Sequence, residues 1–247
     1  LCWADNKLLF PVYKLFEKYF YRRTIYHYGA DYRWGDEKSQ NLNKNTLNYG
    51  YGLAHYSFVR SERPKQILCI GSMYGFIPYM LAKACMENGL GHVDFVDAGF
   101  DKNDAKDKRK HIYGQGFWKK PEAKQHFMYL LDPTYITTHV TTTQKFAKKN
   151  SKKNYDYIYL DGDHRYAGAT FDFQTFWPRL KEGGFLSLHD IHFDTTCGGI
   201  TFEQWKLWEE IVKKFHYKIE LYNHYSGLGF IQKRTKRPSR FQGVVPE

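Results

Sequence analysis

The sequence predicts an α/β fold: a mainly parallel sheet that ends in an antiparallel hairpin. Three observations carry this prediction. Short apolar segments of strand type recur from Lys65 onward, each followed by a candidate helix. A glycine-bearing turn links the first of these strands directly to a helix. The last two apolar segments flank Asn223–Gly227, a polar, glycine-containing link of hairpin length.

Residues 8–23 (LLFPVYKLFEKYFYRR) set Val12, Phe16 and Phe20 at helical spacing, with Leu8, Leu9 and Leu15 widening the stripe, and predict an amphipathic first helix. Residues 26–51 are rich in Tyr, Asn, Gly and charge without a sustained period, which predicts a loop or lid over a pocket. Strands are predicted at Gln66–Ile70, His92–Val96, Tyr135–Val140, Tyr155–Leu160 and Phe185–His189. Helices are predicted at Phe76–Glu87, Pro121–Leu131, Ala167–Leu180 and Thr201–Phe215. In the last of these, Thr201 and Gln204 have the spacing of a capping box, and Phe202, Trp205, Trp208, Val212 and Phe215 lie along one face. Lys181-Glu182-Gly183-Gly184 predicts a tight turn into the fifth strand, and Tyr217–Tyr222 with Leu228–Gln232 forms the hairpin. The chain thus divides into an N-terminal helix and Tyr-rich cap (1–64), an α/β domain (65–232) and a basic tail (233–247).

A length of 247 residues allows one large domain or one domain with appendages. With 42% hydrophobic and 26% charged residues, wholesale disorder and collagen-like repeats are excluded. The longest uncharged stretch, Gln66–Ala82, contains Gly71, Gly75 and Pro78 and falls short of the roughly 20 apolar residues of a bilayer span, so no transmembrane helix is predicted. The net charge of +11, concentrated partly in Lys233–Arg240, favours anionic partners without identifying one. Cys2, Cys69, Cys85 and Cys197 form no CxxC pair, and Cys69 and Cys85 lie in apolar surroundings, which predicts a disulfide-free cytoplasmic protein. The first residue is Leu1 rather than Met, so an upstream targeting segment would not be visible.

The segment ILCIGSMYGF runs a buried strand through Gly71 and Gly75 into a helix, a geometry that brings a ligand close to free backbone N–H groups. Its G-x-x-x-G spacing differs from the dinucleotide fingerprint G-x-G-x-x-G and serves equally as a structural turn. Asp97 closes the second strand about 20 residues later, where a carboxylate can accept hydrogen bonds from both hydroxyls of a ribose. Asp94, in mid-strand, is expected to face elsewhere or to be paired. The richest segment is YDYIYLDGDHRYAGATFDFQTFWPRLKEGGFLSLHD. It delivers Asp161, Asp163 and His164 to the end of one strand and His189 and Asp190 to the end of the next, the edge at which open parallel sheets bind ligands. Such a group can bind a divalent metal and leave a side chain free as a base; alternatively Asp190 caps a turn and His164 is a surface residue.

The combination DGDHRY…LKEGGFLSLHD resembles the class I S-adenosylmethionine-dependent methyltransferases. Within them it is similar to the bacterial O-methyltransferase group that shares DGDH-x-Y, a downstream L-K-x-G-G turn and a terminal H-D with cephalosporin-hydroxylase-like and macrolide-sugar methyltransferase relatives. The resemblance spans roughly Lys65–Gln232. It implies a Rossmann-like, seven-stranded, mainly parallel sheet with helices on both faces and the hairpin as its last two strands. It also implies S-adenosylmethionine over Gly71, Ser72, Met73 and Gly75, with Asp97 on the ribose and Asp161 beside the cofactor. By position, Asp161, His189 and Asp190 match the ligands of metal-dependent members, and Asp163 or His164 the base that takes the acceptor proton. The implied acceptor is a hydroxyl of a small molecule or glycan, and a homo-oligomer is compatible with the resemblance. Three positions depart from the family pattern. Cys69 stands where an acidic residue is usual in the first strand, and Thr141-Thr142-Thr143 where an acidic residue follows the third. The imidazole of His189 suits a transition metal better than Mg²⁺.

Methyl transfer from a sulfonium needs the acceptor oxygen in line at about 3 Å, so positioning supplies most of the acceleration. The Tyr-rich segment before Lys65 and the insertion Gly99–Lys120, with its GQGFW patch, are expected to cover the acceptor. Two other readings compete. Two imidazoles and carboxylates could hold a redox metal for oxygen chemistry on the same fold. The lysines at 145, 148, 149, 152 and 153, with the basic tail and 21 tyrosines, could instead track a nucleic acid, although a solvated face explains such a run and the tyrosines are dispersed.

Overall fold

A computed structural model describes residues 50–73, 75–100, 116–121, 123, 131–197, 200–215, 217–221 and 226–234. The predicted helix at 8–23, most of that at Pro121–Leu131, and the tail beyond residue 234 lie outside the described residues. The chain order is α1 (Gly50–Glu62), β1 (Gln66–Ile70), α2 (Phe76–Asn88), β2 (His92–Asp97), β3 (Ile136–Val140), α3 (Thr143–Lys149), β4 (Tyr155–Leu160), α4 (Tyr166–Phe176) and β5 (Leu180–His189). A short ribbon, β6 (Thr196–Cys197) and β7 (Ile200–Thr201), precedes α5 (Gln204–Lys214), β8 (Lys218–Leu221) and β9 (Leu228–Gln232).

The seven-stranded sheet has the order β3-β2-β1-β4-β5-β9-β8. The first five of these strands pair in parallel, and β9 pairs antiparallel with both β5 and β8. The pleat of each strand turns alternate residues to opposite sides, and both sides of the sheet's interior are apolar. On one face Ile67, Cys69, Val93, Phe95, Tyr157, Tyr159 and Phe230 pack under α1 and α2. On the other, Leu68, Ile70, Ile158, Leu160, Leu186, Leu188 and Ile231 pack under α3, α4 and α5 through Phe146, Phe176 and Trp208. The chain order reverses between β1 and β4, which opens a crevice at their carboxyl ends.

Several local features differ from the sequence expectations, among them helix α3, where no helix was predicted. Helix α1 was not foreseen; Tyr51, His55 and Val59 recur every four residues on its buried side, and Gly52 leaves the notch for Phe76 of α2. The Lys181–Gly184 stretch is a bulge inside one continuous strand, because Gly183 N–H donates to the Lys233 carbonyl and Lys233 N–H to that of Gly184, which extends the β5–β9 ladder across it. Thr201 belongs to β7, paired with Thr196, so α5 begins at Gln204 without a side-chain cap. Its buried stripe is therefore Gln204, Leu207, Trp208 and Ile211. Finally, Phe117 and Trp118 of the GQGFW patch are buried in the core beside Phe95 instead of walling an acceptor pocket.

Asp94 is buried, hydrogen-bonded to His139 Nε2 at 3.0 Å and ion-paired with Lys153, so the last lysine of the run serves the interior. Cys69 and Cys85 are buried free thiols. Among the described residues no helix is long and apolar enough to cross a membrane.

Candidate active site

The β1–α2 turn is built by close approach. Gly71 has φ +71°, and a Cβ placed there would lie 2.0 Å from the Asp161 carbonyl oxygen. Gly71 N–H donates to Val96 O at 2.9 Å and Asp161 N–H to Ile70 O at 2.8 Å, which draws the ends of β1, β2 and β4 together. Met73 carries a positive φ of 32°, uncommon for a residue with a Cβ, and its carbonyl accepts the Trp118 indole N–H at 2.8 Å. Gly75, at φ +89°, is the N-cap of α2 and offers no side-chain acceptor, so the first amides of the helix face the crevice uncapped by a side chain. Ser72 is buried within the turn.

Asp97 stands across the turn at the end of β2 and accepts the Gly99 N–H at 2.7 Å. Burial pushes its carboxyl up to about 6, with the Asp161 charge adding to the effect against the Gly99 and Ser72 amides.

The ends of β4 and β5 converge on a four-residue cluster. Asp161 accepts the Tyr159 hydroxyl at 2.9 Å and lies 3.2 Å from His189 Nδ1. His189 Nδ1 is also 3.0 Å from Asp190 Oδ1, and its Nε2 is 3.3 Å from Ser226 Oγ. His164 Nδ1 lies 2.8 Å from Asp190 Oδ2, with its Nε2 3.7 Å from Asp161. Asp190 adopts φ +56°, which turns its carboxylate back between the two imidazoles. Phe202 covers His164 at a ring distance of 4.6 Å, and Phe193 packs on Phe202 at 4.8 Å.

Electrostatics sort these groups. Burial would discharge His189, but the Asp190 and Asp161 carboxylates outweigh it and raise the ring to about 10. Against the cost of burial, the imidazoles hold both carboxyls below the usual range. His164 is raised as well: burial opposes the shift, and the hydrogen bond and charge of Asp190 overcome it. At neutral pH His189 is thus a cation between two carboxylates, and the remaining negative charge faces His164.

Ligand-capable atoms of Asp161, His164 and Asp190 all lie within 4.8 Å of one another. The 2.8 Å between His164 Nδ1 and Asp190 Oδ2 is the spacing of adjacent ligands on a cation with bonds of about 2.1 Å. Asp163 sits apart from this group, its carboxylate engaged by Nε and Nη2 of Arg165 and its Cβ side against Gly168. Asp172 of α4 carried no signal in the sequence; it is buried against Gly162 and the Thr143 hydroxyl, and burial pushes it up to about 7.

The family model described as "Methyltransferase domain" matches residues 68–191. No curated protein matches the chain. Among solved structures, the fold is similar to that of the O-methyltransferase TomG from Streptomyces achromogenes in complex with S-adenosylmethionine, at 12% identity over 88% of this chain and 95% of that one, with a TM-score of 0.52. It is similar to an O-methyltransferase from Bacillus cereus in complex with S-adenosylhomocysteine, at 12% identity over 79% and 84% of the two chains, with a TM-score of 0.52. The O-methyltransferase NovP matches at 13% identity over 81% and 87%, with a TM-score of 0.56. At these identities the likeness shows the fold.

Proposed function

This chain belongs to the methyltransferase-domain family, and we propose that it transfers the methyl group of S-adenosylmethionine to a hydroxyl oxygen of a small molecule or glycan. Membership in that family supports methyl transfer over the oxygen-chemistry reading of the same cluster. The observation that carries the proposal is the His164–Asp190 pair at the ends of β4 and β5, next to Asp161, whose backbone meets Gly71 of the glycine turn at the switch point.

In this reading the turn receives the cofactor, with the α2 amides and the Asp97 carboxylate as its polar contacts. An acceptor hydroxyl enters over Asp161 and His164, beneath Phe193 and Phe202. Its oxygen forms the bond to the methyl carbon as the carbon–sulfur bond breaks, the thioether leaves with the electron pair, and the hydroxyl proton passes to His164. Asp190 holds the ring in place and stabilises the imidazolium that forms. His189 neutralises one of the two carboxylates, which lowers the negative charge that the acceptor oxygen meets as its proton leaves.

Isothermal titration with S-adenosylmethionine tests the cofactor. Asp97→Ala is expected to weaken binding by about 100-fold or more, the loss of two hydrogen bonds to a charged group. Because the carboxyl of Asp97 titrates near 6 and its ionised form is the better acceptor, affinity is expected to rise with pH through that region and level off above it. Titrations between pH 5 and 8 check this, and a flat profile in the native protein would count against the ribose assignment.

A second reading is favoured by the convergence of Asp161, His164 and Asp190. Two carboxylates and an imidazole form a mixed oxygen and nitrogen set that suits Mn²⁺, Fe²⁺ or Zn²⁺ better than Mg²⁺. When bound, such a cation would lower the pKa of an acceptor hydroxyl. Dialysis against a chelator separates the two: activity lost and restored by one of these metals assigns the cluster to a cation, whereas unchanged activity leaves His164 as the base.

A further inference from the structure

Helix α1 carries a buried polar group that the chemistry above leaves unused. His55 is fully buried, its ring edge-on to Tyr159 at 4.8 Å and 5.7 Å from Phe230. Its Nδ1 lies 2.7 Å from the Tyr157 hydroxyl, which is 3.0 Å from Ser187 Oγ, which is 3.4 Å from the Ile158 carbonyl oxygen. A carbonyl only accepts, so the chain has a direction: Ser187 donates to Ile158, Tyr157 to Ser187, and His55 Nδ1–H to Tyr157. The opposite direction leaves the Ile158 contact unmade and strands a buried N–H, the rarer kind of orphan. The neutral ring therefore presents a lone pair at Nε2, which is buried and meets no hydrogen-bond partner among the described residues. Burial, reinforced by the His189 cation, pushes His55 down to about 3, so the ring does not take up a proton near neutrality.

Three contacts locate the first turns of α1, which carry that ring, in the fold. A Cβ on Gly52 would lie 2.5 Å from Phe76, the first residue of α2 after the glycine turn. The Tyr51 ring is 5.9 Å from that of His189, at the end of β5. Tyr159, against which His55 packs, donates to Asp161 at the end of β4. The first turns of α1 thus span the corner between the glycine turn and the ends of β4 and β5. With the ribose assigned to Asp97 on the β2 side, the methionyl end of the cofactor points away from it, toward this corner. That end carries an α-ammonium, a donor in need of acceptors. The β1 residue on this face is Cys69, whose thiol is held protonated by burial and donates to Gly71 O at 3.8 Å, so it supplies no anion.

We propose that His55 Nε2 accepts a hydrogen bond from the α-ammonium of bound S-adenosylmethionine, which makes α1 part of the cofactor site. This rests on the cofactor reading above. The competing occupant of the same position is a buried water.

Calorimetric titration with two ligands tests it: S-adenosylhomocysteine, and 5′-methylthioadenosine, which keeps the adenosine and thioether but lacks the amino acid. His55→Phe is expected to weaken S-adenosylhomocysteine binding by about 10- to 100-fold and to leave 5′-methylthioadenosine within about 2-fold, as for a lost bond to a charged group. Equal losses for both ligands mean a structural role, and no loss for either means a water at Nε2; each overturns the proposal. If the native protein binds neither ligand, the cofactor reading itself falls. Should His55→Phe not fold, the ¹⁵N imidazole resonances of the native protein decide: a shift of His55 Nε2 with S-adenosylhomocysteine and none with 5′-methylthioadenosine supports the contact, and an unmoved resonance rejects it.

Discussion

Gly71→Ala is expected to abolish cofactor binding and to lower the melting temperature by about 10 °C, because it strikes the point where two strand ends touch. The added Cβ would meet the Asp161 carbonyl oxygen at 2.0 Å and its carbon at 2.6 Å, both backbone atoms that cannot turn aside. At φ +71° the alanine also pays about 1–2 kcal/mol for a left-handed backbone. Relief of the overlap costs a further 1–3 kcal/mol or so of overpacking and moves β4 away from β1. That motion carries Asp161 out of reach of His189 and breaks the Gly71–Val96 and Asp161–Ile70 hydrogen bonds that join three strands at the crevice. Gly183→Ala is the control. Its φ is +80°, yet nothing lies within 4 Å of the new Cβ, so it should cost only about 1 kcal/mol and leave titrations with S-adenosylmethionine unchanged. Thermal unfolding of the two variants separates close approach from backbone strain; equal destabilisation would show that the contact with Asp161 does not matter.

The contrast between these glycines also marks what the sequence discloses. The parallel strands inside the sheet were legible because they bury both faces and read as apolar runs between turns, and the carboxyl-end placement of Asp97, Asp161, His164, His189 and Asp190 follows from strand direction alone. Features set by distant partners were not legible. Lys181–Gly184 has the composition of a turn, and only the Lys233 backbone, some fifty positions away, makes it a bulge. The Phe117–Trp118 pair has the composition of a ligand wall, yet Trp118 supports the Gly71–Gly75 turn from inside through the Met73 carbonyl. Helix α1 was hidden by two glycines and three aromatic residues in a short span, where tertiary packing outweighs propensity. His55 and Asp172 are single polar residues in such packed helices, and neither charge pattern nor spacing signals what a helix covers.

Asp190→Asn should leave S-adenosylmethionine affinity almost unchanged while lowering kcat by about 100- to 10,000-fold, the range for a misplaced general base. Asparagine keeps the size of the side chain but removes the charge that raises His164 and, with Asp161, holds His189 protonated. The base works as the neutral ring, so kcat in the native enzyme rises with pH through the His164 pKa, which Asp190 places above 6.5. Loss of that carboxylate moves the rising limb to lower pH even as the plateau falls. His164→Ala should remove the limb altogether, since Asp163 is engaged by Arg165 and cannot take the proton in its place. A pH–rate profile of the three proteins, run with the cofactor saturating, reads both effects at once. A limb that stays in position in Asp190→Asn would separate Asp190 from the proton transfer. If chelation of the native enzyme produced the same fall as either substitution, the three converging side chains would serve as ligands to a cation, and the acceptor proton would leave by another route. The position of the limb and the response to chelator thus divide the two chemistries that this one cluster can support.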